Sequence, residues 1–364
     1  MTNKKFNKLQ LCSMLLILIV GPFVGSGGFV LIKSAGVDSY LSIIIGTILG
    51  IPLILLYLYI NNYEKDKTIK EKINLVFGNK IGTIINFLLC LCFFTISIFT
   101  MYNLINFIVS QFLNKTPFYI VGILFSLIII YINIKGIEVM SRTMLIITIL
   151  NISLFIFAFI GLIPHIDLDN IKPFLEHGIN RPLIGSFYTI TMNITLLFLL
   201  LIIPKNDIVA TKNFNKWIII TYFISLLIVF IFLFVTLTTL GINLASIYQY
   251  PEYIVLKRIH IFNFLDRIEN IIIIQWIFGL FSIISIIVYY ISNTIKTNNN
   301  NKLIPTIITF SILTLSLTFF KNNTQFNDFT YKYLPFVRLF VLILIFLISF
   351  KIFLKKKKAS NTPT

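Results

Sequence analysis

The groups in this chain able to hold a small ligand are neutral. The stretch Gly21-Pro22-Phe23-Val24-Gly25-Ser26-Gly27-Gly28-Phe29 interrupts the first long apolar run, between Leu11 to Val20 and Phe29 to Ile32. Glycine and proline each weaken an interior helical turn, and hydrocarbon offers no water to the backbone groups that are freed. Such a break is tolerated where protein or a wet cavity covers it, which makes Gly25, Ser26, Gly27 and Gly28 candidate ligand contacts. Close approach of a neighbouring helix to the same glycines is the competing reading. Neutral polar side chains also gather within other apolar runs: Thr95, Tyr102, Asn103 and Asn106 in one, and Thr189, Thr191, Asn193 and Thr195 in another. In a third, Trp276 is followed by Gly279, Ser282 and Ser285, a small-residue face. Interhelical hydrogen bonds, at about 0.6 kcal/mol each, account for such groups structurally, and ligand contact is the functional alternative.

Nothing supports hydrolysis or group transfer, so an enzyme is not expected. His165, His177 and His260 fall in polar segments with no ligand-like i, i+4 spacing, and no metal or cofactor site is read from them. Cys12, Cys90 and Cys92 are odd in number and sit in apolar runs, and Cys90 and Cys92 point to different faces of a helix. The glycines of the first run are followed by no basic residue suited to a phosphate loop. The acids Asp38, Glu138, Asp207, Asp266 and Glu269 stand at the ends of the runs, leaving no visible proton relay. Glu138 and Arg142, four apart, share one helical face. They form either an ion pair at the membrane boundary or a latch that breaks when the protein changes state.

The elements that position these residues are membrane-spanning helices. The chain is 57% hydrophobic and 12% charged, against about 25% charged in an ordinary soluble domain; its mean hydropathy is +0.94. About ten apolar runs approach or exceed the roughly 20 residues that span a bilayer. They are Leu9 to Ile32, Tyr40 to Ile60, Ile81 to Phe112, Phe118 to Ile134, Met144 to Ile163, Leu183 to Ile203, Trp217 to Gly241, Ile271 to Ile291, Leu303 to Phe320 and Leu334 to Leu354. One transmembrane domain is expected, with residues 1–8 as a cytoplasmic N-terminus, 9–354 as a helical bundle and 355–364 as a basic cytoplasmic tail. The first run reads as an uncleaved span because no small-residue cleavage site follows it.

The formal charge of +17 does not point to nucleic acid, because it is distributed by side. With the N-terminus inside, the Lys4 to Lys8, Lys65 to Lys80, Lys205 to Lys216 and Lys351 to Lys358 groups fall on one side, together with Lys135, Arg142, Lys296 and Lys302. Lys33, Lys115, Lys172, Arg181, Lys257, Arg258, Arg267, Lys321, Lys332 and Arg338 are assigned to the other side. The two-to-one bias is that of cytoplasmic loops, and Lys355 to Lys358 suits anionic lipid headgroups. Among the connectors, Asn61 to Lys80 carries Ile69, Ile73, Val76 and Phe77 at the spacing of an amphipathic surface helix. Pro164 to Pro182 is rich in turn residues, and Ile242 to Asn270 reads as an interfacial helix on the outer side. Thr297 to Asn301 and Lys321 to Asp328 are polar connectors.

Several stretches in this order resemble the spore germination B-subunit family, the permease-like membrane subunit of germinant receptors. They are Val24 to Phe29, Ala35 to Ser42, Thr116-Pro117, Gly136 to Arg142, Pro173 to Gly178 with Pro182, Pro204-Lys205, and Asp266 to Glu269 with Trp276. That family belongs to the amino acid-polyamine-organocation transporter superfamily. The resemblance implies an all-α polytopic membrane protein with an inverted five-plus-five repeat, in which the first and sixth helices break and hold the ligand near the midplane. It further implies that Ser26, Gly27 and Gly28 bind a carboxylate by backbone N–H, that carbonyls near Thr191 to Asn193 meet an amino group, and that Tyr102 lines the pocket. The sixth run departs from the family pattern in lacking a central glycine and an acid before Pro204-Lys205, and Leu31-Ile32-Lys33 stands where proline is common.

The expectation that follows is a germinant receptor subunit in the spore inner membrane, with both termini cytoplasmic. It would sense a small nutrient, an amino acid by analogy, and signal to an A-type membrane subunit and a C-type lipoprotein. The rivals are a proton- or sodium-coupled amino acid transporter of the same fold and a structural subunit with a vestigial pocket.

Overall fold

A computed structural model describes residues 6–176, 178–209, 213–259, 273–295 and 302–360. The expectations made for Lys4, Lys5, His177, Lys212, His260, Asp266, Arg267, Glu269, Lys296 and Thr297 to Asn301 lie outside the described residues. Among the described residues the chain is almost wholly helical; the one exception is a parallel pair of two-residue strands, β1 (Phe6–Asn7) and β2 (Ile208–Val209).

The helices follow the apolar runs. The first segment is α1 (Lys8–Val20), a π-helical turn (Phe23–Gly27) and α2 (Gly28–Ala35). Asn7 accepts from the Leu9 N–H and Gln10 reaches back to the Asn7 N–H, a reciprocal cap that starts the helix at the polar boundary. The second segment is α3 (Ser39–Leu49) and α4 (Ile51–Asn62), followed by α5 (Ile69–Phe77). Next come α6 (Asn79–Gln111), α7 (Phe118–Lys135) and α8 (Ile137–Leu162). The sixth segment is α9 (Asn180–Thr189), a π turn (Ile190–Ile194) and a 3₁₀ run (Thr195–Ile202). The remainder are α10 (Phe214–Ile247), α11 (Pro251–Leu256), α12 (Ile274–Ile295), α13 (Leu303–Phe319), α14 (Asn323–Lys332) and α15 (Leu334–Ser360).

Eight helical stretches are long and apolar enough to cross a membrane, and the shorter Lys8–Val20 and Leu303–Phe319 are apolar as well. The eight differ from the ten runs for two reasons: the end of the first run joins the second in Gly28–Asn62 through the short turn Gly36–Asp38, leaving Lys8–Val20 as a short helix, and the ninth run forms only the short Leu303–Phe319. The protein is therefore an all-α polytopic membrane protein. Its outer faces carry large exposed apolar residues such as Ile146, Phe87 and Tyr131, where hydrocarbon would solvate them.

The two ends of the bundle separate the basic groups much as the charge bias predicts. At one end Lys355 Nζ donates to the Leu75 carbonyl (2.8 Å), Lys205 to Asn62 Oδ1, and Lys8 lies over the Trp217 ring (4.7 Å). At the other, Lys33 pairs with Asp328 (3.7 Å), and Asp38 accepts from the Leu175 N–H (3.1 Å). The expected amphipathic helix forms as α5, capped by Thr68 and Glu71, with Ile69 and Ile73 buried. Lys72 is also buried, which the pattern did not reveal: its ammonium donates to the carbonyls of Ile60 and Asn61 at the end of α4 (3.0 and 3.3 Å), and burial pushes its pKa down to about 8. In α10 the backbone kinks at Gly241 (φ +70°), where the seventh apolar run ends, and the Thr238 carbonyl is taken by the Asp167 N–H and the Asn170 amide.

The tightest packing joins α3 to α9 through small residues. A Cβ on Gly46 would lie 2.6 Å from Thr189 Cβ, and one on Gly185 would overlap Ser42 Oγ. Thr189 Oγ1 donates across this contact to the Ser42 carbonyl (3.2 Å). Gly185→Val is expected to cost about 1–3 kcal/mol by overpacking, read as a lower apparent Tm of the purified protein and reduced accumulation in the membrane.

Candidate functional site

The first and sixth segments both leave α-helical register midway, and their π turns pack directly on each other. In the first, Pro22 lacks an N–H and the following turn closes by i→i+5 bonds, as where the Gly28 N–H donates to the Phe23 carbonyl. Ser26 and Gly27 thus lie on a π-helical detour, and the Gly28 N–H that follows is bonded within it. The sixth segment breaks without a central glycine. Its π turn passes into eight residues of 3₁₀-helix, far longer than such runs usually persist, and every residue of that run is buried.

Two side chains satisfy the backbone at this break. Asn193 Nδ2 donates to the Ile19 carbonyl (2.8 Å), tying the sixth segment to the end of α1 just before the first break. Arg338, from the second turn of α15, donates through Nη1 to the carbonyls of Thr191 (3.4 Å) and Met192. The carbonyls expected to meet a ligand amine are therefore taken by a guanidinium. Arg338, counted with the charges of the outer side, is 4% exposed and buried in the bundle. An arginine four residues into the run Leu334 to Leu354 was the available signal, since an ionisable residue inside an apolar segment is expensive and tends to be functional.

A small cavity lies between the breaks, lined by Pro22, Ser26, Thr100, Asn103, Thr330 and Arg338 among others. Its free volume of about 20 Å³ accommodates roughly one water. Of the predicted residues, Ser26 reaches it. Gly27 and Gly28 lie beside it on the same turn, and Gly25 belongs to the same π turn. Thr191 contributes its carbonyl to Arg338, while its hydroxyl bonds back to Phe187 (2.9 Å). Tyr102 stands on another face of α6 from the lining residues Thr100 and Asn103. Its hydroxyl donates to Asn323 (3.1 Å) and its ring packs against Phe118, Phe320 and Phe326. Glu138 and Arg142 pair at 2.5 Å, well away from the cavity, with side chains 39% and 67% exposed. Such an exposed pair contributes about 0–1 kcal/mol.

One side of the site is covered by α14, with the start of α11 bonded to its lining residue Asn103. The Tyr250 hydroxyl accepts from the Asn106 amide (2.7 Å) and donates to Asn103 Oδ1 (3.4 Å). Two residues on, Glu252 is buried with its carboxyl directly over Gly28: a Cβ on that glycine would overlap Oε1. Gly28 is thus a packing residue for an acid. Among the described residues neither oxygen of Glu252 has a hydrogen-bond or ion-pair partner. Sequence placed Glu252 in an interfacial helix, and nothing in the local pattern announces its contact with a residue 224 positions away.

Desolvation pushes the Glu252 carboxyl up to about 8, so it stays protonated at neutral pH. The folded protein then holds a proton that the unfolded chain releases. Its stabilising effect is complete below about pH 4.5 and is lost as pH rises through about 8. The apparent Tm is expected to fall by several degrees, about 5 °C, between pH 5 and pH 9, and Glu252→Gln to flatten that slope. Differential scanning of both proteins across the pH series checks it.

The chain matches the family model described as spore germination protein over residues 5–327. It is 28% identical to spore germination protein KB of Bacillus subtilis (strain 168) over 345 residues, covering 90% of each chain. Spore germination protein XB of Bacillus anthracis is 23% identical over 269 residues, covering 73% of this chain and 74% of that protein. With the family model covering most of its length and a polytopic helical bundle beneath it, the chain belongs to the spore germination protein family.

Proposed function

We propose that this chain is the B-type, permease-like membrane subunit of a germinant receptor, binding a small nutrient in the cavity between the first and sixth breaks. The observation that carries the reading is the pair of facing π turns beside a small cavity of mixed polar and apolar lining, with Asn193 tying the sixth segment to the first and Arg338 holding the sixth break from α15. A space that holds about one water must widen to admit an amino acid, so binding and rearrangement of the surrounding helices are coupled. A nutrient that binds the widened arrangement more tightly shifts the population toward it. That shift is the signal passed to an A-type membrane subunit and a C-type lipoprotein in the spore inner membrane, with both termini cytoplasmic. The cavity is covered by Phe326 and Thr330 of α14, itself held by Lys33–Asp328 and by Tyr102–Asn323. These contacts are what opening toward that side would break.

A second reading, a proton-coupled amino acid transporter, draws support from Glu252, a buried acid on the first break. Proteoliposomes holding the purified chain separate the two. Saturable binding of a labelled amino acid without accumulation under an imposed proton gradient is the expected result, and gradient-driven uptake would establish the transporter instead. For the site, Gly27→Val is expected to abolish the germination response of spores while the protein remains in the membrane. A Cβ there would already lie 2.9 Å from the Pro22 carbonyl oxygen. A normal response at ordinary nutrient concentration would displace the site from the break.

A further inference from the structure

Arg338 is a permanent cation, and among the described residues no acid pairs with it. Guanidinium does not deprotonate at physiological pH, so burial cannot be relieved by losing the charge. Its partners are two backbone carbonyls, both on Nη1, and among the described residues Nε has no hydrogen-bond partner and no carboxylate forms an ion pair with the group. Buried charges are ordinarily paired, because the interior replaces water poorly. The side chain lines the cavity together with Ser26, Thr100, Asn103 and Thr330, which offer hydroxyl and amide groups and no negative charge. The acids of α11 and α14 both lie elsewhere and are absent from the cavity lining: Glu252 rests on Gly28, and Asp328 of α14 pairs with Lys33.

We infer that Arg338 is the anchor for the carboxylate of the ligand, so that the site takes small carboxylic acids, free amino acids among them, in preference to neutral nutrients. The inference rests on the reading of this cavity as the nutrient site and assigns its charged contact to a side chain of the tenth apolar run. The Gly28 N–H is engaged in the π turn, and the anchor needs no backbone donor. A guanidinium takes a carboxylate through a forked pair of N–H donors, and Nε–H is one of the donors such a fork can use. Ser26, on the opposite wall, supplies a hydroxyl. Because Arg338 also holds the carbonyls of Thr191 and Met192, an arriving carboxylate competes for the group that ties the sixth break together. That links occupancy of the cavity to the geometry of the break.

The test uses the full-length chain in lipid nanodiscs, with thermal stabilisation as the readout at constant ionic strength. Acetate and L-alanine are the carboxylate probes, acetamide and L-alaninamide their neutral counterparts, and glucose a nutrient without a carboxylate. The expected result is stabilisation by both carboxylates at concentrations at least ten-fold lower than by their amides. Arg338→Gln, which keeps an amide donor for the two carbonyls, should lose that preference; Arg338→Lys, which keeps the charge without the fork, should retain part of it. The comparison of acids with amides in the wild-type protein needs no variant, so misfolding of a variant cannot obscure it. Equal stabilisation by acids and amides, an unchanged acid preference in Arg338→Gln, or no response to any carboxylate would overturn the inference. Stabilisation by glucose that depends on Ser26 but not on Arg338 would overturn it as well while leaving the cavity as the nutrient site. Failure of the site reading itself shows separately, as carboxylate binding that Ser26→Tyr, which would fill the cavity, leaves unaffected.

Discussion

The bundle depends on how the backbone of the sixth segment is satisfied where it leaves α-helical register. Hydrocarbon offers no hydrogen bonds, so each carbonyl released by the π turn and the 3₁₀ run requires a protein partner. Arg338 supplies two such bonds, to Thr191 and Met192, and Asn193 returns one to Ile19 of the first segment. These bonds hold the first, sixth and tenth apolar runs together at one depth. The cavity is the space left between them. Its walls are therefore built from the same groups that stabilise the break, and a change at one is felt at the other.

The same economy governs the outer side. Gly28 has no side chain, and the vacated volume is filled by the carboxyl of Glu252, which brings α11 close to the first break. Tyr250, which caps the start of that helix, bonds to Asn103 and Asn106. Asn103 also lines the cavity, so α11 and the site share a residue. The protein thus places one buried cation and one protonatable acid on either side of the first break, in surroundings otherwise neutral. A group that gains or loses charge in such surroundings acts strongly on the packing around it.

The fold was largely legible from sequence because membrane insertion imposes a coarse rule. Apolar runs long enough to span, the bias of lysine and arginine between loops, and the spacing of Ile69, Ile73, Val76 and Phe77 each followed from local composition, and the helices lie where these signals put them. The first break was legible for the same reason: Gly21, Pro22 and the following glycines weaken a helix wherever they occur. The sixth break was not, since Ile190 to Ile202 contains neither glycine nor proline, and its departure from α-helix is supported by a distant donor to its backbone carbonyls.

Site composition divides along the same line. Ser26 belonged to a visible break and lies on the cavity, whereas Tyr102 sat on a plausible polar stripe and turns toward Asn323, because which face of a long helix meets the cavity depends on how that helix packs. Arg338 was counted among the charges of the outer side at the start of the tenth run, and Glu252 fell in the segment Ile242 to Asn270 read as an interfacial helix. Only the tertiary structure shows that one crosses to the Thr191 and Met192 carbonyls, 147 and 146 positions away, and that the other rests on Gly28. Sequence by itself determined the solvent, the helical segments and the first break, since those depend on residues adjacent along the chain. The tertiary structure decided which charges are buried and what they face, since burial depends on contacts between segments distant in sequence.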